Sequence, residues 1–239
     1  MTHHTPSSWL RPKDMLYKGG AFSTSMIRKK APFMGIVIAV MIAQLAVTYF
    51  AMEALSKNDA LQEYMKKNVW LLVMAFVMPF VIILVLAFVP MSMPVKLVLF
   101  TLFSLLFGLI LSISRRYMTP ELVKAAMVAT LGIFVSMFLV GIVLAGLGYD
   151  LFWLGMILFV LLIILVIVGI VMLFIHPDKK AMRTRAILVI ILFAVYIIFD
   201  TNQIIMRDYN GDYVMAGLDY YLDMLNIFTA MLQVLGDNS

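Results

Sequence analysis

Residues 193–236 read FAVYIIFDTNQIIMRDYNGDYVMAGLDYYLDMLNIFTAMLQVLG, and the pattern in this stretch decides the fold. Two apolar segments flank a short polar turn, as in a helical hairpin. Each segment carries carboxylates in its interior. Asp200 follows seven consecutive apolar residues, Phe193 to Phe199. Asp219 and Asp223 stand four apart and so lie one above the other on one helix face. In a membrane each such group costs about 2.5–3.5 kcal/mol on insertion scales and normally faces a bundle interior or a wet cavity. The functional reading is an ion or proton path. The bland one is a set of carboxylates spent on hydrogen bonds between helices.

Composition supports the membrane. The 239 residues are 64% hydrophobic and only 13% charged, which a soluble chain of this length does not match. The formal net charge of +5 suits anionic headgroups. Nucleic acid is not expected as a partner, because no basic run is interleaved with aromatic residues. The absence of cysteine excludes disulfides, thiolate metal sites and cysteine nucleophiles. No cofactor is expected.

Seven spans can be read outward from the hairpin, at about 33–52, 69–89, 95–113, 122–145, 151–175, 185–206 and 213–235. Each is near the roughly 20 residues that cross about 30 Å of hydrocarbon. The expectation is an all-α polytopic membrane protein: a mobile basic arm over residues 1–32, then one transmembrane domain over 33–236. Residues 53–68 read as a solvated loop, with Pro32 opening the first helix and Pro79 kinking the second span. Thr119 reads as an N-cap with Pro120 behind it. Gly132 with Ser136, and Gly141 with Ala145, read as points of close helix approach. No cleavable signal is visible, so the first span serves as address and anchor. The arm carries six Lys/Arg against three in the loop after span one, which places the N-terminus in the cytoplasm. Summed over alternate sides the counts are 8 and 10, so the orientation rests on the arm.

In an antiparallel hairpin turning near residue 209, Asp200 lies level with about residue 219, and Asp223 is about 6 Å deeper at 1.5 Å per residue. Asp200 can therefore meet either aspartate of the last span. Two carboxylates in one dry site share a proton and titrate as a unit. Asp212, Asp219, Asp223, Asn226 and Gln233 form a polar stripe down the last span, which belongs at the centre of a bundle.

The chain resembles the Bax inhibitor-1 family, also called transmembrane Bax inhibitor motif proteins, and within it the lifeguard and Golgi anti-apoptotic branch. The likeness is carried by Phe199-Asp200-Thr201 with Gln203, and by Tyr221-Leu222-Asp223 with Asn226-Ile227-Phe228 and Leu232-Gln233. Weaker likeness appears at Ile27-Arg28-Lys29, Asn68-Val69-Trp70-Leu71 and Leu99 to Ser104. The resemblance implies a seven-helix bundle with the last helix central and a pH-sensitive calcium leak. Its paired-aspartate site would be Asp200 and Asp223, which would also touch calcium weakly. It further implies roles in calcium homeostasis and in suppressing cell death, in a bacterial inner membrane or a eukaryotic ER or Golgi membrane. Calcium takes six to eight oxygens, so two carboxylates suit passage better than storage. The partners implied are the bilayer, calcium, protons and other membrane proteins. This sequence departs from the family at Asp219, where Asn is common, and at Asp212, where Glu is usual. These two and Asn226 stand as contributors to the site.

Other readings carry less. A non-conducting scaffold for other membrane proteins would show no aspartate-dependent flux. An intramembrane aspartyl protease needs Gly-x-Gly-Asp, which Tyr149 breaks ahead of Asp150; no enzymatic activity is expected. Retinal attachment needs a lysine in the last span, and Tyr213 to Leu235 has none. The 21 methionines read as apolar filler rather than a copper path. His3, His4 and His176 read as incidental.

Overall fold

The computed structural model describes residues 23–175, 177–207 and 209–236. Within them are eight helices: α1 (Thr24–Ser56), α2 (Asp59–Lys67), α3 (Val69–Phe88), α4 (Met93–Arg115), α5 (Pro120–Gly146), α6 (Phe152–Ile175), α7 (Lys179–Met206) and α8 (Tyr213–Gly236). Among the described residues six helices, α1 and α3 to α7, are long and apolar enough to cross a bilayer. At 1.5 Å per residue even the shortest of them, 20-residue α3, reaches about 30 Å. α8 has the length but not the hydropathy, because its aspartates, asparagine and glutamine dilute its apolar residues.

The bundle is apolar outside, and its largely apolar core encloses a set of polar side chains. Large apolar side chains such as Phe80, Trp153, Phe159, Ile164 and Phe174 are exposed, which is the surface lipid requires. Gln44, Thr48, Ser104, Ser112, Asp200, Asn202 and Asp223 are buried. α8 packs against α1, α4, α5 and α7, whereas α6 leans on α7 and barely touches α8. Tyr220 and Tyr221, both fully buried on α8, anchor the centre. Tyr221 meets the edges of Phe100 and Phe103 and lies 2.6 Å from the Thr48 hydroxyl, while Tyr220 meets Phe134 and lies 2.8 Å from Thr201 Oγ1.

Several local expectations need correction. Residues 53–68 are mostly helical, not a loop. α1 runs on to Ser56, and Asn58 caps α2 by accepting the Leu61 N–H at 3.0 Å. The charges that read as loop are the wet face of an amphipathic helix. Asp59 stands in its first turn, Lys66 and Lys67 in its last, and Glu63 pairs with Lys67 at 2.7 Å. Its dry face buries Gln62, whose amide donates to Leu55 O and to Ser112 Oγ. Pro32 does not open α1 but lies within it, so residues 24–32 of the expected arm are helical. Most of the arm, with His3 and His4, lies outside the described residues, as does His176.

Thr119 caps α5 with Pro120 behind it, accepting the Leu122 N–H at 3.2 Å. Of the small-residue pairs, Gly141 and Ala145 are buried. A Cβ on Gly141 would lie 2.6 Å from Thr201 Cβ, so α5 and α7 touch there as closely as backbones allow. Gly132 faces open space and Ser136 is exposed, so that pair packs nothing.

Candidate functional site

The hairpin of α7 and α8 places one polar row against another. On α7 the positions 196, 200, 203 and 207 recur at helical spacing and share a face. On α8 the facing row begins with Asp219, Leu222 and Asp223. Between them, closed on the third side by Leu162 of α6, lies a cavity of about 510 Å³. Tyr196, Phe199, Asp200, Gln203, Arg207, Tyr209, Asp219 and Asp223 line it.

Asp200 is 7% exposed and Asp223 3%. Their carboxyls lie within hydrogen-bonding reach of each other, a contact that one shared proton would close. Among the described residues no donor reaches Asp223 Oδ2, a buried acceptor that a proton shared within the pair would satisfy. Asp219 opens onto the same cavity and accepts a hydrogen bond from the Tyr209 hydroxyl. Tyr209 sits in the turn between the two helices. Burial pushes its hydroxyl above the ordinary value of 10.0, and the carboxylates of Asp219 and Asp200 push it the same way. It is a fixed donor at every physiological pH.

The cavity mouth is braced. Arg207 Nε donates to Gln203 Oε1 at 2.9 Å and Nη2 to Asp150 Oδ2 at 2.8 Å, and the guanidinium lies 4.2 Å from the centre of the Phe152 ring. Lys30 Nζ donates to the Arg207 carbonyl at 2.6 Å. Asn202 ties the α5–α6 turn to α7, accepting from Leu151 N–H at 3.0 Å and donating to Tyr149 O at 2.7 Å. Asp150 is thus held in a structural ion pair at a turn, and its carboxylate also accepts the Phe152 N–H at 3.0 Å.

Of the residues expected in the site, Asp200, Asp223 and Asp219 share the cavity. Asp212 does not line it: its carboxylate caps α8 through the Met215 N–H at 3.0 Å and pairs with Lys96. Asn226 lies one turn deeper than Asp223 and belongs to a second cavity. Tyr196, Arg207 and Tyr209 were not foreseen. The first two repeat at helical spacing from Asp200 and were legible in principle, whereas Tyr209 is a turn residue with no periodic signature. Among the described residues no three His, Asp or Glu side chains converge as a metal-holding group.

A helical, multi-pass membrane protein with buried aspartates facing one cavity on its last two helices is the class these features define. Residues 26–239 match the family described as inhibitor of apoptosis-promoting Bax1, and the chain belongs to this Bax inhibitor-1 family. It is 28% identical over 208 residues to Bax inhibitor 1 of Schizosaccharomyces pombe, covering 85% of this chain and 76% of that protein. It is 30% identical over 87 residues to Protein LIFEGUARD 4 of Arabidopsis thaliana, 36% of this chain and 35% of that one. Protein LIFEGUARD 3 of the same plant is 31% identical over 88 residues, 37% and 36%. The matches to these two plant relatives therefore span about a third of their length.

Proposed function

We propose that this protein is a pH-sensitive calcium leak whose passage is governed by the Asp200–Asp223 pair. The observation that carries this reading is the carboxyl-to-carboxyl contact of two buried aspartates on a cavity of about 510 Å³. With one proton shared, the two helices are drawn together and the pair holds a single charge. Without it, two carboxylates repel, the α7–α8 contact loosens, and the site gains attraction for a divalent cation. Two carboxylates, the Gln203 amide oxygen and water supply too few oxygens for tight storage of calcium but enough for transit. Asp219, held by Tyr209, adds a further acidic oxygen set on the same wall.

The same reading takes α8 as a seventh span, its polar row shielded by its neighbours, and takes the N-terminus as cytoplasmic. Modulation of calcium stores and of cell death would follow in a host that has them. The test is calcium entry into proteoliposomes at neutral pH by the native chain, Asp200→Asn and Asp223→Asn. Native flux that either substitution abolishes supports the leak. Absence of flux through the folded native chain overturns it in favour of a non-conducting scaffold, and flux unaltered by both substitutions overturns control by the pair.

A further inference from the structure

A second cavity of about 210 Å³ lies on the same α6–α7–α8 seam, nearer the opposite membrane face. Its polar lining comes from Asn226, Thr229 and Gln233 of α8 and from Arg185 of α7. The polar row of α8 therefore runs unbroken past both cavities. On α7 the same face continues through positions 185, 189 and 193 at four-residue steps. Among the described residues two line both cavities, Leu162 and Phe193. Phe193 stands about 10 Å along α7 from Asp200 and about 12 Å from Arg185, at 1.5 Å per residue. The seam thus alternates carboxylates, an apolar partition, then amides and a cation.

Arg185 stands half-buried in the second turn of α7, on the wall of this cavity. Its Nε is buried without a hydrogen-bond partner. The guanidinium lies so flat on α6 that a Cβ on Gly169 would fall 2.7 Å from Nη2. A buried N–H without a partner is costly unless water or an anion reaches it, and the adjoining cavity is where either would stand.

We propose that the two cavities are chambers of one transmembrane route, separated by a hydrophobic gate formed by Leu162 and Phe193. Arg185 guards the second chamber with a fixed positive charge. The proposal rests on the cation-path reading of the Asp200–Asp223 site and extends it across the membrane. The apolar partition accounts for a closed resting state, since a dewetted constriction stops ions without sealing the wet chambers on either side. Loosening of α7 from α8 on loss of the shared proton would move Phe193, which lies two helical turns from Asp200 on the same face of α7. Arg185 repels cations in the second chamber, which makes the route a slow leak rather than a fast pore.

The chain has no cysteine, so single cysteines report accessibility directly. Leu222→Cys in the first chamber and Thr229→Cys in the second are exposed, in sealed vesicles of each orientation, to a membrane-impermeant cationic methanethiosulfonate. The expected result is that each cysteine reacts from one side only, and from opposite sides. Adding Phe193→Ala or Leu162→Ala then lets each react from both sides, and raises calcium flux severalfold. Arg185→Gln speeds reaction of Thr229→Cys with the cationic reagent relative to a neutral one. A cysteine at 229 that is inert from both sides, or one-sided reactivity that survives both gate substitutions in folded protein, overturns the route. Labelling does not depend on which ion is carried. The expected labelling without aspartate-dependent calcium flux therefore overturns the calcium reading while the two-chamber route stands.

Discussion

Asp200 on α7 and Asp223 on α8 stand carboxyl to carboxyl within hydrogen-bonding reach, although each is more than nine-tenths buried and they lie in different helices. On the proposed reading one shared proton sets how tightly the α7–α8 hairpin closes. Two ionised carboxylates at that separation in a dry site repel, whereas one proton converts repulsion into a charge-assisted hydrogen bond. The helices that carry the pair also carry the aromatic anchors of the bundle, so a change at the pair reaches the core.

Replacement of Asp223 separates the pair's bonding from its charge. Asp223→Asn retains a donor and an acceptor toward Asp200 and changes stability by about 1 kcal/mol or less, whereas Asp223→Ala strands a buried carboxyl at a cost of about 1–3 kcal/mol. Unfolding in detergent at pH 7 compares the two. Equal stability would show that the contact is not maintained in solution.

Two glycines of α5 respond to alanine with opposite signs. At Gly141 a new Cβ meets Thr201 Cβ at 2.6 Å and the Ile198 carbonyl at 2.9 Å, both on the packed α7, and overpacking of this kind costs about 1–3 kcal/mol. At Gly132 nothing lies within 4 Å, so removing the helix-interior glycine gains about 0.5–1 kcal/mol. Thermal midpoints of the two variants against the native chain check the contrast.

Tyr209 sets a limit on stability at high pH. Its hydroxyl is held above its ordinary value of 10.0 by burial and by neighbouring carboxylates, so the folded state keeps a proton that the unfolded chain releases. The associated stabilisation is complete below about pH 10 and is lost as pH rises toward the folded value. Tyr209→Phe should therefore lose less stability than the native chain between pH 9 and 11. An identical alkaline slope would remove Tyr209 from this role.

The long helices and the acidic pair were legible because both are periodic. Apolar runs of about 20 residues have one reading in a chain this hydrophobic, and Asp200 stands out against the seven apolar residues before it. Asp219 and Asp223 declared a common face through their spacing, but which of them meets Asp200 depended on the rotation of α7 against α8, a tertiary quantity. α2 is hidden in the sequence because nine residues carry too little periodicity to outweigh four charges, and its buried Gln62 reads as polar. Gly132 and Gly141 look alike in sequence and differ only in which way α5 faces. Asp212 continues the polar stripe in sequence, yet it stands just ahead of Tyr213, the N-cap position where a capping carboxylate belongs, and the Met215 N–H and Lys96 hold it there.

The most direct test of the central claim is the pH profile of calcium flux through the native chain in proteoliposomes between pH 6 and 8, measured beside Asp200→Asn and Asp223→Asn. If the shared proton closes the path, native flux rises with pH as the pair loses it, and neither variant retains that rise. Native flux that is flat or falls with pH, or a rise that persists in both variants, would contradict control by this pair.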